Sequence, residues 1–131
     1  MTVELFLRVL PHWAAAFAFT LIVEIPIFAL IARLPGGLPA GRRLPLWRLA
    51  LAGAAGTCLT HPLLWFVWPR VVHDYAAYIA SGELLIAIAE SATFFALARP
   101  IALRRAIAAS FVANAASYGI GALLHAAGIL G

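Results

Sequence analysis

Residues 11–33 read PHWAAAFAFTLIVEIPIFALIAR, an apolar run whose only Asp, Glu, Lys or Arg residues are Glu24 and the closing Arg33. The sequence LPGG follows at 34–37 and is typical of a helix end. A run of this length and composition can cross a bilayer core of ~30 Å as one helix. The sequence therefore predicts a membrane-spanning helix with a carboxyl group near its middle.

The remainder of the chain repeats this pattern. Of the 131 residues 65% are hydrophobic and only 11% are charged, so a soluble domain of this size could not cover its surface with polar groups. The solvent of such a chain is the lipid bilayer. The sequence predicts an all-α integral membrane four-helix bundle, a single transmembrane domain over 1–131, with spans at about 11–33, 46–68, 75–98 and 104–129.

The arginines predict the orientation of these spans. All nine basic residues are arginine. Seven of them lie in, or at the helix ends next to, the segment that joins spans one and two and the segment that joins spans three and four. The positive-inside rule places both segments in the cytoplasm and both termini outside. Arginine without lysine, in an alanine- and leucine-rich chain, suggests a bacterial genome and hence the inner membrane. Because these arginines fill short gaps between apolar runs, they are topology signals, and no nucleic-acid partner is predicted.

The two halves of the chain resemble each other. An alignment that pairs Glu24 with Glu90, and Thr57 with Asn114, continues without gaps inside each helix. Chance explains it equally well, because alanines match easily here and arginines are expected at cytoplasmic helix ends. If the repeat is real, two tandem hairpins are related by a pseudo-twofold axis along the membrane normal. The site is then expected where the two repeats meet.

Ionisable residues inside the spans point to the candidate site. A charged side chain near the bilayer centre costs roughly 2.5–3.5 kcal/mol on insertion scales, so such residues are rare and normally face the protein interior. The predicted ligand or ion site comprises Glu24, His61, Glu83, Glu90 and Asn114. Supporting polar side chains are predicted at Thr57, Thr60, Ser117 and Tyr118.

Helical spacing favours one polar stripe on each helix. Glu83 and Glu90 lie on the same face, about two turns apart. Thr57, Thr60 and His61 share one face of the second span. Four inward stripes would form a polar seam through the bundle. The alternative without a ligand is a buried hydrogen-bonded network that only holds the helices in register.

The leading functional hypothesis is transport or binding of a cation, either a metal or a proton, or of a proton-coupled small solute. Imidazole together with carboxylates favours transition metals, which makes a divalent metal the candidate cofactor. The candidate metal ligands are Glu24, His61, Glu83 and Glu90, although no His and Glu pair shows the spacing of ligands on one helix. Four helices form a thin pathway, so a homodimer or a larger membrane partner is also predicted.

Two other functions fit the same seam. An intramembrane enzyme could use His61 with a glutamate as acid and base or as ligands of a catalytic metal. The sequence contains neither HExxH nor GxSxG, which argues against an enzyme. A non-catalytic accessory subunit would pair its seam with a larger complex and would tolerate glutamine in place of glutamate.

Overall fold

The computed structural model describes residues 3–129. In this part of the chain all regular structure is helical, with no strand. All four main helices are long and apolar enough to cross a membrane. The predicted all-α four-helix fold is therefore confirmed. The helices are α1 (Val3–Arg33), α2 (Leu46–Phe66), α3 (Tyr75–Leu97) and α4 (Leu103–Ala126), and a 3₁₀ turn (Trp68–Arg70) follows α2.

Helix α1 begins at Val3, earlier than the predicted span start at Pro11. Pro11 lies inside the helix, as does Pro26. A proline removes a single hydrogen bond of the helix backbone, and the rest of the helix is intact, so α1 continues through Pro11. The helix ends at Arg33, after which the chain turns through Gly36 with φ of +78°, a conformation that favours glycine.

The other helices end close to the predicted limits of the spans. Helix α3 is capped by Asp74, whose Oδ1 accepts the Ala77 N–H at 2.8 Å. Helix α2 contains Pro62 and gives way to the 3₁₀ turn just after Phe66. Helix α4 ends at Ala126, somewhat before the predicted limit at 129.

The helices form an up-down-up-down ring. Helix α1 packs beside α2 and α4, and α3 also packs beside α2 and α4. The Tyr78 hydroxyl near the start of α3 donates to the Leu64 carbonyl near the end of α2 at 3.2 Å. At the other end of the same pair, Arg48 Nε at the start of α2 donates to the Leu97 carbonyl at 3.3 Å. Neighbouring helices are therefore antiparallel.

The bundle has two unlike halves. We call the half where α1 and α3 end the closed half, and the half where they begin the open half. Many buried residues of the closed half are alanines, which let helices approach closely in a membrane. Its apolar core consists of Phe28, Ile31, Ala32, Leu44, Leu49, Ala52, Phe94, Ala98, Ile101, Ala106, Ala109 and Ala113.

The loops of the closed half join the two hairpins. The Ala102 N–H donates to the Gly37 carbonyl at 2.9 Å, and the Arg105 guanidinium donates to the Pro35 carbonyl. A side chain on Gly37 would collide with the end of α1, because its Cβ would lie 2.4 Å from a backbone oxygen. In the predicted topology this half faces the cytoplasm.

The outer surface of the bundle is apolar, and its centre contains polar side chains. Leu51 and Leu59 on α2 are 61% and 62% exposed, whereas Glu24 and Glu90 are each 1% exposed. Cys58 also lies on the exposed face. This distribution is consistent with a multi-pass membrane protein, whose apolar surface is solvated by lipid.

Candidate functional site

Glu24 lies in the middle of the bundle and accepts hydrogen bonds from α2 and α4, the second helix of each hairpin. Its Oε2 accepts the Thr57 hydroxyl of α2 at 2.8 Å, and its Oε1 accepts the Ser117 hydroxyl of α4 at 2.8 Å. Both donors are uncharged. Each carboxylate oxygen of this almost fully buried side chain therefore has a partner from a different helix.

Glu90 on α3 is bound in the same way. Its Oε1 accepts the Thr60 hydroxyl of α2 at 2.8 Å, and its Oε2 accepts the Asn114 amide of α4 at 2.6 Å. A Cβ on Gly56 would lie 3.0 Å from Glu90 Cγ, so the glycine leaves room for this side chain against α2. Helices α2 and α4 thus supply one donor to each carboxylate.

These four hydrogen bonds follow the alignment of the two hairpins. Each glutamate accepts from its own hairpin at one aligned position, Thr57 for Glu24 and Asn114 for Glu90. From the other hairpin, Glu24 accepts from Ser117 and Glu90 accepts from Thr60, two residues that are also aligned with each other. Exchanging the hairpins therefore maps the network onto itself. We call these six residues the carboxylate layer: Glu24, Thr57, Thr60, Glu90, Asn114 and Ser117.

The hydroxyl groups of the layer each have a second acceptor on their own helix. Thr60 Oγ1 lies 3.0 Å from the Gly56 carbonyl, and Ser117 Oγ lies 3.1 Å from the Asn114 carbonyl. Thr57 Oγ1 lies 3.4 Å from the Gly53 carbonyl. A hydroxyl can therefore donate to an ionised carboxylate. It can equally accept from a protonated one while donating to its own helix. The layer can bind both protonation states without losing a hydrogen bond.

Hydrogen bonds through Ser110, on the closed-half side of the layer, fix the Asn114 side chain. Its Nδ2 also donates to the Ser110 carbonyl at 2.9 Å, and the Ser110 hydroxyl donates across to the Ala87 carbonyl of α3 at 2.9 Å. Ser110 is fully buried. These bonds fix the Asn114 amide so that it points at Glu90.

A cavity of about 700 Å³ extends from the carboxylate layer to the helix ends of the open half. His12, Tyr75 and His125 line it near those ends. On the other side of the layer, the rings of Phe28 and Phe94 pack with centroids 4.6 Å apart, and both are fully buried. The cavity is therefore closed at its floor by an aromatic pair and open above.

All nine predicted site residues line this cavity. The five predicted site residues, Glu24, His61, Glu83, Glu90 and Asn114, lie around it, as do the supporting Thr57, Thr60, Ser117 and Tyr118. Glu83 lies above the layer and takes no part in its hydrogen bonds. Among residues 3–129, no three His, Cys, Asp or Glu side chains come together as metal ligands would. The four predicted metal ligands therefore do not form such a cluster in this part of the chain.

His61 lies in an aromatic cluster at the cavity wall. Its ring centroid lies 5.3 Å from Phe17, 6.0 Å from Trp65 and 6.2 Å from Trp13. The histidine is 7% exposed, and its Nδ1 is buried without a hydrogen-bond partner. The Trp13 Nε1–H is likewise buried and unpartnered. His61 is thus surrounded by rings, and its Nδ1 is not paired with a carboxylate.

Some of the lining was outside the sequence-based prediction. Phe19, Thr20 and Trp65 line the cavity, and Trp13 and Phe17 pack behind His61. In α1 these aromatic residues recur at intervals of a few residues, a signal that could have placed them on the face of Glu24. Aromatic residues are common at membrane interfaces, which conceals such a pattern.

Comparison with protein-family models, with curated proteins and with solved structures finds no match for this chain.

Proposed function

We propose that the protein binds a small solute in the cavity and moves it across the membrane, coupled to protons carried by Glu24 and Glu90. One observation carries the proposal: two buried carboxylates line the inner end of a solute-sized cavity, and among residues 3–129 their hydrogen-bond partners are uncharged groups. Ligand cavities of small molecules measure roughly 300–1,000 Å³. Carboxylates inside a membrane commonly mark ion pathways and proton relays.

The hydroxyl groups of the carboxylate layer support the proton-carrying role. Because Thr57, Thr60 and Ser117 can each switch between a glutamate and a backbone carbonyl, proton uptake requires only small rotations. The cavity brings solute and proton to the same groups, which is what coupling requires.

The geometry gives less support to an enzyme. An acid–base pair of His61 with Glu90 would need the two side chains in hydrogen-bond contact. Instead, the Glu90 oxygens bind Thr60 and Asn114, while His61 packs against rings. A homodimer or a larger membrane partner stays a prediction.

Infrared difference spectroscopy of the purified protein tests the proton-carrying role without knowledge of the solute. On a step from mildly acidic to mildly alkaline pH, the C=O band of protonated carboxyl groups should decrease. Glu24→Gln and Glu90→Gln should each remove part of this signal. Glu4→Gln is the matched control, since Glu4 is exposed at the start of α1. The proposal is wrong if neither buried glutamate contributes a band that changes with pH.

We further propose a bacterial inner-membrane location with both termini outside, supported by the distribution of arginines. In a Cys58→Ser background, Asp74→Cys would lie in the external loop and Ala40→Cys in a cytoplasmic one. A membrane-impermeant maleimide should label the first but not the second in intact cells, and both after lysis. Labelling of Ala40→Cys alone would reverse the orientation.

A further inference from the structure

The cavity lining carries an excess of negative groups. Three carboxylates line it, those of Glu24, Glu83 and Glu90, whereas none of its described lining residues is an arginine. Among residues 3–129, the hydrogen-bond partners of Glu24 and Glu90 are uncharged. A solute that enters this cavity therefore meets acidic groups.

Aromatic rings surround the same space. Phe19, Trp65, Tyr75 and Tyr118 line the cavity, in addition to His61. Aromatic faces attract cations within about 6 Å of the ring centroid, and cages of such rings bind quaternary ammonium groups. A hydrated inorganic ion makes little use of these rings, and the described residues form no cluster of metal ligands. The combination favours an organic cation.

One buried polar atom in the cavity wall has no hydrogen-bond partner among the described residues. His61 is more than nine-tenths buried, lines the cavity, and has a buried Nδ1 without a partner. Buried polar groups without a hydrogen bond are rare in native proteins. His61 therefore lines the cavity, and its Nδ1 is a buried polar atom that no group among residues 3–129 satisfies.

An apolar groove adjoins the cavity on the lipid-facing side between α2 and α3. It has a volume of about 340 Å³, and Thr60, Leu64 and Ile86 line both it and the cavity. The rest of its wall is almost wholly apolar, with Leu63, Val67, Trp68, Gly82, Leu85 and Ala89. An apolar substituent on a ligand could therefore extend from the carboxylates toward the lipid.

From these features we infer that the solute is a lipophilic organic cation, which exchanges for protons at Glu24 and Glu90. The inference rests on the proposed function and names its substrate class. The cation occupies the cavity with its charge near the carboxylate layer and its apolar body against the rings. Protons compete with it, because an ionised carboxylate attracts the cation and a protonated one does not. The titratable groups facing the two glutamates across the cavity are His12, His61, Tyr75, Glu83, Tyr118 and His125.

Two probes of the same shape and opposite charge test this inference. Tetraphenylphosphonium is a lipophilic cation, and tetraphenylborate is its anionic counterpart. Equilibrium dialysis against the purified full-length chain in a non-ionic detergent should show saturable binding of the cation only. Binding should weaken as the pH is lowered. Equal saturable binding of the anion would overturn the inference, because apolar partitioning would then explain both.

Matched variants locate the bound cation. Glu24→Gln and Glu90→Gln should each weaken its binding at least about tenfold, since a charge pair is lost in a site of low dielectric constant. Trp65→Leu should weaken it by a few-fold to tenfold. Trp47→Leu is the control, because Trp47 is 68% exposed on the outer face. Unchanged binding in all three cavity variants would refute the site.

The infrared experiment separates the two proposals. If Glu24 and Glu90 exchange protons but tetraphenylphosphonium does not bind, the substrate class is wrong and the proton-coupled function stands. If the cation binds but neither glutamate exchanges protons, the coupling is wrong. Size-exclusion profiles that match the parent confirm that each variant is folded. The comparison of the cation with the anion uses the parent chain, so it does not depend on the folding of any variant.

Discussion

Replacing Glu90 by glutamine should leave the bundle about as stable as the parent, because an amide can rebuild every hydrogen bond. The amide oxygen of glutamine would accept from Asn114 Nδ2, which lies 2.6 Å from Glu90 Oε2. Its NH₂ would face Thr60 Oγ1, at 2.8 Å from Glu90 Oε1. The Thr60 hydroxyl then donates to the Gly56 carbonyl at 3.0 Å. Only this orientation of the amide satisfies all partners.

Methionine at the same position provides the contrast. Glu90→Met keeps the length of the side chain and removes both interhelical hydrogen bonds. Such bonds in membrane proteins contribute about 0.6 kcal/mol on average and at most about 1.7 kcal/mol. Two lost bonds should therefore cost about 1–3 kcal/mol, whereas Glu90→Gln should change the free energy of unfolding by less than about 1 kcal/mol.

Reversible unfolding in mixed micelles, driven by added dodecyl sulfate and followed by helical circular dichroism, measures this difference. Glu4→Gln controls for the loss of a carboxylate elsewhere on the chain. If glutamine destabilises the protein as much as methionine, the rebuilt network described above is wrong. The hydrogen bonds would then depend on the carboxylate group itself, which an amide could not replace.

Three further changes probe the floor, the layer and the groove. Phe28→Ala removes a fully buried ring and should cost about 3 kcal/mol in the same unfolding assay, with faster proton leak into proteoliposomes containing a pH-sensitive dye. The outward-facing Phe111→Ala, 43% exposed, should change neither. Gly56→Ala places a Cβ 3.0 Å from the carboxylate side chain of α3 and should weaken tetraphenylphosphonium binding in equilibrium dialysis; unchanged affinity would mean that α3 moves away without cost. Ala89→Trp fills the apolar groove and should slow uptake of that cation by proteoliposomes, while Ala92→Trp, also exposed but outside the groove, should not; equal slowing would exclude the groove as a path.

The sequence predicted which face of each helix is buried in the middle of the bundle. In lipid a polar side chain has no water to bind, so residues such as Glu24, Thr57 and Asn114 face inward almost regardless of the fold. Helical spacing then assigns the face. Each of these three is at least nine-tenths buried, and all of them line one cavity.

Pairing within the layer could not be predicted in the same way. That Ser117 binds Glu24 and Thr60 binds Glu90 depends on the order of helices around the ring and on their relative depth. The pattern of polar residues along one helix reveals neither the order of the helices nor their relative depth. The Phe28–Phe94 floor has the same origin, since it requires α1 and α3 to face each other across the bundle. Their aligned positions in the two hairpins were a signal, but alanine-rich helices produce such matches by chance.

The two hairpins have equivalent hydrogen bonds at the carboxylate layer, but their aligned residues differ between the layer and the open end of the cavity. At the layer, Glu24 and Glu90 have equivalent partners, so either glutamate can carry a proton in the same way. One turn or two above, the position of Phe17 in the first hairpin is taken by Glu83 in the second, and that of His61 by Tyr118. The first hairpin thus has a ring where the second has a carboxylate, and an imidazole where the second has a phenol. The two sides of the cavity therefore differ chemically, which those of a strictly symmetric bundle could not. In the function we propose, proton exchange would depend on what the two hairpins share, and selection of the solute on where they differ.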